Sequence, residues 1–195
     1  MRAAFIFTIL SALAAPASAS LITVSFTGTI TQVPVDDIFG DIAPGDVFQG
    51  AYTYDSTALD QIPGATTGSY SFTAPLGLTA TIGQHLFDAT GDLNIGIFNS
   101  FLDQYTVFAQ NTTGLTIGLT LQDNSATAIL TDELPTTAPV LAGFTQAAFQ
   151  LSLTLDGAEL QADGQLDGLT SVPEPSSLPL VLAAFLAFCI PPRRP

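Results

Sequence analysis

An all-β fold, an antiparallel β-sandwich of jelly-roll type, is predicted for residues 20–171 on three observations. The stretch Leu21–Gln32 alternates strictly, with Ile22, Val24, Phe26, Gly28 and Ile30 on one side and Thr23, Ser25, Thr27, Thr29 and Thr31 on the other. That period of two marks a strand with one dry face. The pattern returns at short spacing, punctuated by the turn formers Pro44-Gly45-Asp46, Pro63-Gly64, Asn111-Thr112-Thr113-Gly114 and Asp123-Asn124. No repeat of fixed period is evident, which disfavours solenoids and propellers and leaves one domain of strands packed face to face.

After Leu21–Gln32 the next strand is Val47–Tyr54, entered from the Pro44-Gly45-Asp46 turn. Gly68–Phe72 follows Pro63-Gly64, and Leu76–Ile82 runs up to Gly83, where Gly83-Gln84-His85-Leu86-Phe87-Asp88 reads as a hairpin turn entering a strand. Leu93–Phe98 and Tyr105–Ala109 come next, then Leu115–Leu121, bracketed by the Asn111 and Asp123 turns. Phe149–Leu155 is a strand, and Glu159–Leu169 holds the last one, with Asp163-Gly164 as a tight turn within it. The clearest helical candidate is a short stretch near Gly143–Gln150 containing Ala147-Ala148.

Both ends differ from this domain. Arg2 precedes an apolar stretch from Ala3 to Ala14, and Ala17-Ser18-Ala19 supplies the small-x-small pattern of a signal-peptidase site, so residues 1–19 read as a signal peptide and the mature chain begins near Ser20. At ~30 Å of hydrocarbon and 1.5 Å per residue that stretch is too short for a retained anchor. In residues 172–195, Val172-Pro173-Glu174-Pro175 leads into an apolar run from Leu178 to Ile190 and then to Arg193-Arg194. A Pro-x-Pro hinge, a short hydrophobic helix of some 20 Å and a basic cluster held on the cytoplasmic side suit transient retention in the inner membrane.

The order of Pro173, Glu174, Pro175, the apolar span and Arg193-Arg194 resembles the PEP-CTERM sorting signal of Gram-negative bacteria, with Pro191-Pro192 and a terminal Pro195 as departures. The resemblance implies an exosortase substrate, tethered transiently and then delivered to the cell surface or the medium, with an association to extracellular polysaccharide or biofilm matrix. Phe26-Thr27-Gly28-Thr29-Ile30 and Gly50-Ala51-Tyr52-Thr53-Tyr54-Asp55 also look like the opening of other PEP-CTERM ectodomains.

The chain holds 17 acidic and 3 basic residues, a formal net charge of -14, and its basic residues are Arg2, Arg193 and Arg194, all in the terminal segments. An exported domain with no Lys or Arg has nothing with which to neutralise a phosphate backbone or an anionic lipid surface, so nucleic acid is excluded as a partner. Cys189 is the single cysteine and lies in the tail, so the domain has no disulfide.

Little in the domain points to catalysis, and the chain reads as non-enzymatic. His85 is the lone histidine, no Gly-x-Ser-x-Gly elbow occurs, and one histidine without a domain cysteine does not make a zinc site. Asp36-Asp37 and Asp132-Glu133 are adjacent carboxylates, which in a strand point to opposite faces, so a carboxylate-dependent glycoside hydrolase is a remote alternative. Calcium suits the oxygen-rich loops better: Asp36, Asp37 and Asp41 cluster beside Gly40, and Asp156, Glu159, Asp163 and Asp167 near the end. With Tyr52, Tyr54, Tyr70 and Tyr105 as stacking surfaces, a calcium-assisted glycan-binding module is the nearer alternative. Asn111-Thr112-Thr113 fits the N-glycosylation pattern.

Overall fold

The computed structural model describes residues 21–33, 41–64, 66–155 and 158–172. They form ten strands: β1 (Leu21–Gln32), β2 (Val47–Asp55), β3 (Thr67–Phe72), β4 (Gly77–Ile82), β5 (His85–Thr90), β6 (Asp92–Asn99), β7 (Asp103–Gln110), β8 (Leu115–Asp123), β9 (Gln146–Leu155) and β10 (Ala158–Val172). All belong to one antiparallel sheet in the order β3-β6-β7-β8-β9-β10-β1-β2-β4-β5. The strands pair in succession from β3 to β5, with register irregularities between β1 and β10 at Thr27/Gly28 and Ile30/Gln32, and the sheet curls until β4 and β5 lie against β6, β7 and β8. Two portions of one apolar face thereby cover each other, which is how a single sheet makes a core without helices.

The alternation read in β1 is the observed one, with Val24, Phe26, Gly28 and Ile30 buried. Across β6, β7 and β8 the register builds inward-facing rungs: Leu93 with Ala109 and Ile117, Ile95 with Val107 and Leu119, Ile97 with Tyr105 and Leu121. Each fully buried large side chain contributes roughly 1.5–3 kcal/mol.

At the centre of the core Phe26, Phe48 and Phe149 cluster, with Phe48 stacked on Phe149 at 4.1 Å between ring centroids. The rings lie over glycines of the neighbouring strands. Phe26 is the register partner of Gly50, Phe48 of Gly28, and Phe149 of Gly164. This arrangement corrects the expected turn at Asp163-Gly164: β10 continues through it with a register irregularity against β1, and a Cβ on the mid-strand Gly164 would lie 2.6 Å from the Phe48 ring. The helical candidate is also corrected. A single 3-10 turn covers Leu141–Gly143, and Ala147 and Ala148 belong to β9, where Ala147 is buried opposite Leu121.

The four tyrosines are core residues, which removes them as a sugar-stacking surface: Tyr52, Tyr54, Tyr70 and Tyr105 are each at most 4% exposed. Their hydroxyls are satisfied inside, Tyr52 with Tyr105 at 3.2 Å, Tyr54 on the Pro135 carbonyl at 2.6 Å and Tyr70 on the Asp132 carbonyl at 2.9 Å. Burial pushes the phenols of Tyr52, Tyr54 and Tyr105 well above their ordinary value. Tyr52→Phe leaves the Tyr105 hydroxyl buried without this partner and is expected to cost about 1–3 kcal/mol in denaturant unfolding. The double variant Tyr52→Phe, Tyr105→Phe should recover part of that loss, because no polar atom of the pair is then stranded.

Candidate functional site

The feature of the fold best shaped to receive a ligand lies under the segment that joins β8 to β9. Between Asn124 and Thr145 the chain lies over the sheet and lines an open pocket of about 560 Å³. Its floor is Ile97 and Tyr105 of the sheet, and its walls include Ile129, Leu134, Pro135, Val140 and Phe144 of the crossing segment. A long connection whose regular structure is one 3-10 turn is costly to hold in one conformation. Here the sheet pins it at several points: Tyr70 and Tyr54 hold the carbonyls of Asp132 and Pro135, the Asp103 carboxylate accepts from Ile129 N at 2.7 Å, and Ser171 Oγ accepts from Ala138 N at 2.6 Å.

The segment leaves β8 through a turn built on Asp123. Its carboxylate accepts from the backbone N–H groups of Ser125 and Thr127 and from both hydroxyls. These bonds, with the Thr127 N–H first, then the Ser125 hydroxyl and N–H, hold the carboxyl down at about 2 from an ordinary 3.8. A lowered folded-state value means that the stabilisation is complete above the ordinary value and lost as the pH falls toward the folded one. The expected outcome is a loss of stability between about pH 4 and pH 2 that is smaller in Asp123→Asn than in the wild type, read from denaturation midpoints across that range.

The cavity is apolar with a few hydroxyls, and Glu133 is the one carboxylate in its lining. Cavities of this size and character bind apolar or amphiphilic groups. A pair of carboxylates set about 5–10 Å apart, as glycoside hydrolysis requires, is not among the residues that line it.

Of the residues singled out for calcium, Asp36 and Asp37 lie outside the described residues, while Asp41 is placed. Its Oδ1 meets His85 Nε2 at 2.6 Å, beside a small cleft of about 130 Å³ that Asp46 and Gln84 also line. The bond to His85 lowers the Asp41 carboxyl below its ordinary value. His85 opens β5 after the two-residue turn Gly83-Gln84, where Gly83 has φ of 58°, as the turns of tight hairpins demand. In the second acidic group, Asp156 lies outside the described residues, Asp163 accepts from the Gln161 amide and Asp167 from the Thr29 hydroxyl. Asp163 and Asp167 stand four residues apart on one strand, ~13 Å, and do not converge. Among the described residues no three of His, Cys, Asp and Glu come together as a metal site.

Asn111 of the glycosylation pattern is a turn residue. Its carbonyl oxygen accepts from Thr113 N, Thr113 Oγ1 and Leu115 N, and its amide nitrogen donates to the Asp88 carbonyl at 2.8 Å. The processing residues Ala17, Ala19, Pro173, Glu174, Pro175, Arg193 and Arg194, and with them the signal peptide and the sorting helix, lie outside the described residues. Among the described residues no helix is long and apolar enough to cross a membrane. Sequence reasoning missed the buried Asp103 and Asp123, because aspartates at strand ends look like ordinary turn residues. Their signal was parity with Tyr105 and Leu121, which face the core.

Comparison of the chain with protein-family models, with curated proteins and with solved structures finds no match.

Proposed function

We propose that this chain is an exported, non-enzymatic protein of PEP-CTERM type, sorted to the cell surface or medium and associated there with extracellular polysaccharide. The observation that carries the proposal is Pro173-Glu174-Pro175 followed by the apolar run and Arg193-Arg194, in a chain that opens with a signal-peptide pattern. Signal peptidase cuts after Ala19, the inner membrane holds the C-terminal segment transiently, and exosortase acts at the Pro-Glu-Pro motif. In this reading the facing portions of the curled sheet serve as the two layers of a jelly-roll-like sandwich, flanked in the precursor by the signal peptide and the short sorting helix.

The strands are compatible with such processing. The described strands lie within Leu21–Val172, between the two cuts, and Thr23 pairs with Val172. Both cuts therefore leave all ten strands intact. The glycan-binding and hydrolase alternatives lose support by comparison, since the tyrosines are buried and Asp41 is engaged by His85.

The test is replacement of Pro173-Glu174-Pro175 by three alanines in the native host. The variant is expected to stay in the membrane fraction with its tail attached. Normal delivery of a trimmed product would remove the motif from the mechanism and the proposal with it.

A further inference from the structure

The three apolar rungs of β6, β7 and β8 end in a fourth that is polar. Asn99 pairs with Asp103 and Asp103 with Asp123, continuing the inward-facing positions of Ile97, Tyr105 and Leu121. Asp103 is 0% and Asp123 1% exposed. Side chains directly opposite in an antiparallel pair have Cβ atoms about 4.5–5.5 Å apart, and like charges there repel.

The two carboxylates are provided for unequally. Both oxygens of Asp123 accept several hydrogen bonds from Ser125 and Thr127. Asp103 Oδ2 accepts from Ile129 N, whereas Asp103 Oδ1 is buried with no hydrogen-bond partner. A buried carboxylate oxygen left unmatched is expensive, more so beside a second carboxylate. No lysine or arginine is present between Arg2 and Arg193 to relieve it, and His85 is committed to Asp41.

We propose that the Asn99–Asp103–Asp123 rung is a binding site for a hard divalent cation of the calcium class. Asp103 Oδ1 and the Asn99 amide oxygen are the side-chain ligands, Asp123 adds negative charge, and water and backbone carbonyls complete the oxygen shell. The set is all oxygen, which favours calcium over zinc or copper. The site is separate from Asp36, Asp37 and Asp41 and does not depend on how the chain is sorted. Since Ile129 N bonds to the same carboxylate, a cation here fastens the segment that roofs the cavity to the sheet.

The experiment is a calcium chloride titration of the full chain, purified in detergent, followed by thermal unfolding and by tyrosine-sensitised terbium luminescence, with Asp103→Asn in parallel. Asparagine is nearly isosteric and its carbonyl still accepts from Ile129 N. At calcium ~100-fold above its dissociation constant the wild type is expected to unfold about 5–10 °C higher. It should also show terbium emission that calcium displaces, and Asp103→Asn should lose both responses. A wild type indifferent to calcium and terbium overturns the proposal, as does an equal response in Asp103→Asn, which would assign the cation to exterior carboxylates. If Asp103→Asn does not fold, Asn99→Ala decides: loss of the calcium shift and of the displaceable emission supports the site, and a response equal to the wild type overturns it.

Discussion

Gly28→Ala is expected to destabilise the protein by about 3 kcal/mol, near the upper end for overpacking a core. A Cβ on Gly28 would lie 2.2 Å from the Gln165 carbonyl oxygen and 2.3 Å from the tip of the Phe48 ring. The ring can tilt, but the carbonyl belongs to β10, which pairs with β1 on its other side. Trimming the ring with Phe48→Leu should therefore not rescue Gly28→Ala. Gly118 is the control: a Cβ there meets nothing closer than 3.9 Å, so Gly118→Ala should change stability by no more than about 1 kcal/mol, with stabilisation through the unfolded chain the expected sign. Urea midpoints with unchanged slopes would measure both. A Gly28→Ala protein as stable as Gly118→Ala would contradict the packing of ring on glycine.

Phe149→Ala is expected to cost about 3–5 kcal/mol, the usual range for emptying a buried aromatic site. Phe149 is 1% exposed, stacked on Phe48 and within 6.2 Å of Phe26 by ring centroids. The cavity it leaves is bordered by β10 on one side and the other two rings on the other, so little can move in to fill it. Phe108→Ala is the comparison. Phe108 is 42% exposed on the outer face of β7, and its loss should cost much less. Comparable losses for the two variants would mean that the curled sheet does not close over Phe149.

Much of this fold was legible because burial and alternation coincide. β1 runs over Leu21–Gln32 as read, and the other strands that alternate cleanly are found within a few residues of their expected limits. Where the reading failed, long-range packing overrode a local signal. Gly164 looked like half of a turn, yet it is a glycine because Phe48 of a distant strand lies over it. β5 carries the sequence signal of a turn entering a strand and is a full edge strand; Leu86 faces outward at 70% exposure and only Ala89 is buried, so its apolar pattern is weak. The curl of one continuous sheet is a matter of twist and of which strands meet, and neither is written in any single segment.

The candidate sites were less legible than the fold. The tyrosines looked like a sugar platform by residue type, although Tyr52 and Tyr54 share parity with the buried Phe48 of the same strand. Asp103 and Asp123 were hidden by the opposite error, since an acidic residue at a strand end signals a turn unless its register is known. The cavity under residues 124–145 depends on hydrogen bonds from Tyr54, Tyr70, Asp103 and Ser171, which are far apart in sequence. Charge, by contrast, was readable at once, because the placement of three arginines needs no fold.

The intact mass of the protein recovered from the surface and medium of its native host tests two-ended processing most directly. A mass that fits Ser20 to about Glu174, with any group added on transfer, is expected, and trypsin should then find no site in the urea-unfolded product because no Lys or Arg lies between those residues. A mass that retains Leu178 to Pro195 would instead make the chain a tethered membrane protein and contradict the reading of its tail as a transient sorting handle.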